Sequence, residues 1–186
     1  MVTELGAESN FFAVGRNLDI REVEKKVKEW CTDEGIFKIK RPTDSKAEFI
    51  FDLTYPFNHP QPMHFIAVMP KEKDHVVIAC GTQISPPHLQ CLKKPETTQR
   101  FLQGFTKTML ILQVLHSIKQ ENNVPTFWEL SDEIYLDGLT KNEFFKVLRK
   151  IYFATISAIF LLNELCTPGG ELPKTAAGLE PMPFYG

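Results

Sequence analysis

The hydrophobic residues of this chain recur at helical spacing in two segments that begin with the same capping signal. In two places a capping residue is followed three positions later by a glutamate: Asp19 and Glu22, and Thr140 and Glu143. A side-chain oxygen of the first residue can cap a helix, while the glutamate reaches back to the cap. Apolar residues three and four positions apart follow both signals. We therefore predict a first amphipathic helix that ends near Gly35 and a long last helix.

Between these helices the hydrophobic period changes to two. In residues 47–55 a large apolar side chain occupies every second position, a pattern that is typical of a sheet with one buried face. Residues 36–41, 63–69 and 75–84 are further strand candidates. Because the short segments between them can join only antiparallel neighbours, we predict an antiparallel meander of about four strands.

The second half of the chain adds helices and further strands. The pair Pro86-Pro87 opens a short helical turn, and residues 96–121 carry apolar side chains all round their second half, which predicts a long, well-covered helix. Residues 124–136 predict one or two more strands. The fold class is thus α+β, an antiparallel sheet with helices packed on one face, in the order α-β-β-β-β-α-β-α.

The distribution of periodic and aperiodic sequence predicts one domain with two tails. Residues 19–166 should form the single α+β domain. Residues 1–18 lack periodicity, and residues 167–186 combine prolines and glycines without a repeating pattern. We expect a flexible lead and a flexible tail in these two segments.

The last helix carries two apolar stripes. The first should face the sheet and consists of Phe144, Leu148, Ile151, Tyr152, Ile159 and Leu162. The second consists of Phe153, Ile156 and Phe160, and it shares its side of the helix with charged residues such as Arg149. Either another part of the same chain covers the second stripe, or it is an interface rimmed by charge. We hypothesise an interface for a homodimer or another protein, formed by Phe153, Ile156, Phe160 and Arg149.

Charge and hydropathy narrow the class of partner. The net charge of −2 argues against nucleic acid, whose binding proteins usually carry a basic excess. The apolar run Ile151–Leu162 is too short to cross a bilayer. Its capping box and core stripe favour a folded helix over one that lies on a membrane. We therefore predict neither a nucleic-acid partner nor a membrane partner.

The cysteines and residues 1–18 help to predict the cellular compartment of the protein. Nothing in residues 1–18 reads as a secretion signal, so we expect a cytoplasmic protein. The four cysteines lie far apart without a CxxC motif, which in this context predicts buried thiols and no disulfide. They are Cys31, Cys80, Cys91 and Cys166.

No constellation of residues predicts catalysis. His88 and Cys91 could share a metal ion, but a structural zinc site needs four such ligands and no second pair follows. His116 is interpreted as a histidine at the edge of the core on the long helix. We predict no catalytic residue, metal or cofactor. The alternative is a small-ligand binder or enzyme with a pocket near His88, between the sheet and a helix.

The order of elements and the segment IYLDGLTKNEFFKVLRKIYFATISAIFLL, Ile134–Leu162, carry a resemblance. Over residues 19–166 the chain resembles an uncharacterised archaeal protein family that is thought to share the fold of type III secretion chaperones. The resemblance implies a small α+β domain, often dimeric, that binds other proteins, and it implies no functional residues. We predict a non-catalytic, protein-binding or chaperone-like module that acts as a homodimer.

Overall fold

The computed structural model of the protein describes residues 19–43 and 46–166. The lead and the tail predicted for residues 1–18 and 167–186 lie outside the described residues. Within the described part the chain forms four helices and six strands. They are α1 (Ile20–Asp33), β1 (Phe37–Lys40), β2 (Ala47–Tyr55), β3 (Met63–Pro70), β4 (His75–Gln83), α2 (Pro86–Leu92), α3 (Pro95–Leu112), β5 (Leu115–Glu121), β6 (Val124–Tyr135) and α4 (Lys141–Cys166).

The strands form one antiparallel sheet in the order β1-β2-β3-β4-β6-β5. The first four strands are a meander, as predicted, because each is joined to its neighbour by a short connection. β6 then pairs with β4, and β5 forms the far edge. The predicted α+β class with an antiparallel sheet is confirmed.

The helices cover one face of this sheet. Phe49, Phe51 and Leu53 point toward them from β2 and are fully buried. On β6, Trp128 packs against Phe101 of α3 with 6.0 Å between ring centroids. Burying a side chain of this size stabilises the fold by about 1.5–3 kcal/mol. The layer between sheet and helices is therefore the hydrophobic core.

The predicted caps are present at both helices. The carboxylate of Asp19 accepts a hydrogen bond from the Arg21 amide at 3.0 Å, and the hydroxyl of Thr140 accepts one from the Glu143 amide at 3.2 Å. The predicted reach of the glutamates back to the caps is not observed among the described residues, because Glu143 pairs with Lys146 at 3.3 Å and Glu22 with Lys26 at 2.8 Å. Each cap satisfies a backbone donor that the helix itself leaves open.

The helix predicted over residues 96–121 is wrong in its second half. α3 ends at Leu112, and Gln113 adopts the left-handed conformation with φ 53° and ψ 49°. The ammonium of Lys150 donates to the carbonyl of Gln113 at 3.1 Å. The chain continues as β5, on which His116 lies with its ring 5.6 Å from that of Phe105. The apolar residues that follow Leu112 belong to a strand. At helical spacing the same residues fall on a second side of the predicted helix, so the pattern resembled that of a helix covered all round.

The order of elements changes accordingly. The turn opened by Pro86 is a helix of its own, and the segment after Leu112 is a strand. The observed order is α-β-β-β-β-α-α-β-β-α in place of the predicted α-β-β-β-β-α-β-α. Residues 124–136 form a single long strand, β6, as one of the two predicted options.

The prediction that all four cysteines are free thiols is wrong. Cys91 on α2 and Cys166 at the end of α4 form a disulfide, with 5.6 Å between their Cα atoms. The sequence could not reveal this pair, because 75 positions separate the two residues and only the packing of α2 on α4 brings them together. Cys31 and Cys80 are buried free thiols, and burial raises the pKa of Cys31 to about 12.

We expect the disulfide to stabilise the fold. Cys166→Ser should lower the free energy of unfolding by about 2–4 kcal/mol, because a cross-link over a long loop restricts the unfolded chain. Denaturant titration of the oxidised proteins measures this difference. The control is the same titration under a dithiol reductant, in which the wild type and the variant should coincide. Equal stability without reductant would contradict the prediction.

Candidate functional site

The outer face of α4 is the side of the helix that points away from the sheet, and we define it by Arg149, Phe153, Ile156, Phe160 and Glu164. Phe153 is 58% exposed and Phe160 is 40% exposed. Ile156 is half-buried, and the two charged residues are exposed. The structure therefore brings the four predicted interface residues to one side of one helix. Within the described residues, nothing covers the two phenylalanine rings fully.

Contacts on the other sides of α4 fix which residues point outward. Phe144 is fully buried among the core residues. Tyr152 meets Tyr55 of β2 edge to face, with 5.3 Å between centroids. On the α3 side, a Cβ atom added to Gly104 would lie only 2.9 Å from the side chain of Leu161, so the two helices approach closely. Five of the six residues of the predicted inner stripe are buried, and the sixth, Ile159, is half-buried.

Two polar side chains of α4 that do not point outward have partners within the described residues. Lys150 forms an ion pair with Asp132 of β6. The hydroxyl of Thr155, which is buried, donates to the carbonyl of Ile151 at 2.9 Å.

The outer face has opposite charges at its two ends. Arg149 and Glu164 are fifteen positions apart, or about 22 Å along the helix. Neither forms an ion pair with another described residue. Burial raises the pKa of Tyr55, and the positive charge of nearby Arg149 opposes that rise. The apolar stripe is therefore bounded by a free positive group at one end and a free negative group at the other.

The pair His88 and Cys91 does not act as the start of a metal site. The sulfur of Cys91 is bonded to Cys166. The Nδ1 atom of His88 lies 2.7 Å from the hydroxyl of Ser85, at the beginning of the same helix. Over residues 19–43 and 46–166, no cluster of three or more histidine, cysteine, aspartate or glutamate side chains could hold a metal ion.

A cavity of about 510 Å³ lies where the end of α2, the first turns of α3 and the β5–β6 turn meet. Its aliphatic lining comes from Leu92, Leu102 and Val124. Five carboxamides surround it, and none of them forms a side-chain hydrogen bond with another described residue. They are Gln99, Gln103, Gln120, Asn122 and Asn123. His88, near which a pocket was predicted, is not among its lining residues.

The sheet face opposite to the helices, which we call the open face, carries a feature that sequence reasoning missed. Its central outward positions are aliphatic on three neighbouring strands, where an antiparallel sheet facing water is usually polar. These residues are Ile50, Ile66, Val68 and Val77. The signal was present in the sequence as apolar residues at both odd and even positions of β3 and β4.

The chain is similar to one family of proteins and to solved structures. The model of a family described as "Uncharacterized conserved protein (DUF2299)" matches residues 23–162. A crystal structure of an uncharacterized protein from Methanothermobacter thermautotrophicus has a TM-score of 0.70 and 24% identity, and the match covers 77% of this chain and 99% of that chain. YbjN, a putative transcription regulator from E. coli, has a TM-score of 0.42 and 14% identity, with 76% and 90% covered.

Two further findings complete the comparison. A search of curated proteins gives no match. Among the described residues, no helix combines the length and the apolar character that crossing a bilayer requires. The archaeal crystal structure agrees with the resemblance to an uncharacterised archaeal family, and at 24% identity it shows the fold alone.

Proposed function

We propose a function for this chain, which belongs to the family of uncharacterized conserved proteins DUF2299: it is a non-catalytic, protein-binding module that pairs with a second copy through the outer face of α4. The observation that carries the proposal is the exposure of Phe153 and Phe160 on a helix whose other side is buried against the rest of the protein. Large exposed apolar groups with a charged rim are typical of interfaces.

The outer face is complementary to itself. An antiparallel pair with its two-fold axis between Ile156 and Ser157 places Phe153 opposite Phe160 of the second copy. The same axis places Arg149 opposite Glu164 of the second copy. Each contact occurs twice, as two-fold symmetry requires. The complementary residues extend over about 22 Å of the helix. Contact over this length requires the shallow crossing angle of about 20° that long helix pairs adopt.

A chaperone-like role is the finer form of this proposal. It is supported by the resemblance of residues 19–166 to an archaeal family that is thought to share the fold of type III secretion chaperones. Fold likeness alone does not determine function, because one fold carries many functions. The partner of the dimer would then be an unfolded or partly folded polypeptide.

Charged residues at the centre of the outer face should abolish the dimer. Phe153→Glu combined with Phe160→Glu places four carboxylates in the buried contact of a pair, where they lack partners. We expect the wild type to be a dimer and the variant a monomer in size-exclusion chromatography with light scattering. Because both rings are exposed in the single chain, the monomeric variant should remain folded, with the circular dichroism spectrum of the wild type.

The matched control makes the same change elsewhere on the surface. Leu110 and Leu115 are 69% and 54% exposed and lie outside α4. Leu110→Glu combined with Leu115→Glu should remain dimeric. A wild type that stays monomeric at the highest concentration reached would overturn the proposed homodimer.

A charge swap tests the two-fold register. Arg149→Glu alone and Glu164→Arg alone should each weaken the dimer about tenfold, because each places like charges opposite one another. The combined variant restores both ion pairs in reversed order and should recover most of the wild-type affinity. Sedimentation equilibrium at low salt measures all four dissociation constants. A combined variant that is weaker than either single change contradicts the register.

A second candidate function is the binding of a small molecule in the pocket beside α2. The observation that favours it is the ring of five unpaired carboxamides around an aliphatic floor. Carboxamides both donate and accept hydrogen bonds, so they suit a neutral polar ligand. His88 does not line this cavity, so it is a different site from the pocket predicted near that residue.

Filling the cavity should test this second candidate. Leu102→Trp adds an indole to the floor and should remove any fragments that bind to the wild type in ligand-observed NMR screening. The control Leu110→Trp adds the same group outside the cavity and should keep them. An absence of hits on the wild type, or the same hits on both variants, would count against the site.

A further inference from the structure

We infer that the disulfide between Cys91 and Cys166 is a redox-sensitive clasp, which a dithiol opens so that α2 is released from α4 while the rest of the fold persists. This switch goes beyond the proposed protein-binding function. It requires neither the homodimer nor a ligand of the cavity beside α2.

The clasp joins a short helix to a long one. Cys91 lies in the last turn of α2, which has seven residues, and Cys166 is the last of the 26 residues of α4. α4 is anchored along its length by buried side chains, including Leu162 in the turn before the clasp. Opening the bond therefore leaves α4 in place, and the segment that it releases is α2.

α2 has few other attachments to the protein. Of its seven residues, Leu92 alone is buried. Pro86 and Pro87 at its beginning have no amide hydrogen to donate. The hydroxyl of Ser85 lies 2.7 Å from Nδ1 of His88 and forms no hydrogen bond that caps the helix. Because isolated helices of fewer than about 12 residues are marginal in water, the burial of Leu92 is the main contribution that holds α2 once the clasp is open.

The position of the clasp suits attack by a thiol. Both cysteines are half-buried, at the edge of the core. Exchange begins when a thiolate reaches one sulfur of the bond, so a fully buried disulfide would be protected. Lys93 and Lys94 follow Cys91 at exposed positions, and neither forms an ion pair with another described residue. Their positive charges favour the approach of the anionic thiolate.

The exchange needs only a dithiol as the co-reactant. One thiolate of the dithiol attacks a sulfur of the clasp, breaks the S–S bond and forms a mixed disulfide with that cysteine. Its second thiol then displaces the cysteine and closes a disulfide within the reagent. Two electrons and two protons pass from the dithiol to the protein, so Cys91 and Cys166 become thiols. The oxidised dithiol reverses both steps.

The remaining cysteines do not compete in this exchange. Cys31 and Cys80 are the only others in the chain, and both are buried free thiols. Burial raises the pKa of both thiols, and it raises that of Cys31 to about 12. Neither is therefore a nucleophile near neutral pH. After opening, Cys91 and Cys166 re-form a disulfide with each other, and the switch is reversible.

The clasp also fixes one wall of the cavity beside α2. Leu92 and Lys93 are part of the lining of that cavity, and they follow Cys91 directly in the chain. When α2 is released, this wall is released with it. Opening the clasp therefore changes the shape of the cavity.

Hydrogen exchange of the wild type in its two redox states tests the switch without any substitution. The probes are dithiothreitol and its oxidised form. After reduction, the amides of residues 88–94 should exchange at least about tenfold faster, while those of β2 and β4 stay protected. Reoxidation should restore slow exchange.

Alkylation of the native protein, followed by mass spectrometry, identifies the thiols that respond. After reduction, the reagent should modify Cys91 and Cys166. It should leave Cys31 and Cys80 unmodified until a denaturant is added. The variant that combines Cys91→Ser with Cys166→Ser should show the fast exchange of α2 with either form of the reagent.

The matched control is Cys80→Ser. The thiol of Cys80 forms side-chain hydrogen bonds with Thr82 and Thr155, so a serine hydroxyl suits the same site. This variant should respond to dithiothreitol like the wild type.

Three results would overturn the switch: a clasp that is reduced only in denaturant, unchanged exchange of α2 after reduction, or loss of protection throughout the sheet. A wild type that is monomeric in light scattering removes the homodimer but alters none of these measurements. The two failures are therefore distinguishable.

Discussion

A single layer of helices can cover only one face of a sheet, and each helix of that layer can turn only part of its surface toward the sheet. In this protein the covered face accounts for the core, in which Phe51 and Trp128 are almost fully buried. The stability of the fold depends on that one interface. Apolar residues in excess of what the interface can bury must remain on the two outer surfaces. Phe153 on α4 and Ile39 on β1 are such residues, one on each side.

The interface between the sheet and the helices could be predicted from the sequence, because an element that is buried on one side carries apolar residues at a regular spacing. The alternation around Phe51 identified β2, and the helical spacing around Leu148 identified the inner stripe of α4. The caps at Asp19 and Thr140 were predictable for a different reason, since they depend on contacts within three residues. The outward position of Phe153 follows from the same helical spacing.

Other features depend on contacts between distant residues or on backbone conformations that many residue types can adopt. The end of α3 depends on a left-handed Gln113, which carries no glycine signal. The turn that joins β5 to β6 uses Asn122 and Asn123, with φ values of 51° and 64°, and asparagine tolerates this conformation. The disulfide of Cys91 requires the packing of α2 on α4. The local residue pattern therefore predicts the type of each element better than it predicts where the element ends or which other elements it contacts.

The proposed pairing through α4 also determines where the two sheets of a dimer lie. Pairing through the outer face of α4 would place the helical layers of two copies back to back, with a sheet on either outside. Each open face, with Ile66 at its centre, would then point away from the dimer.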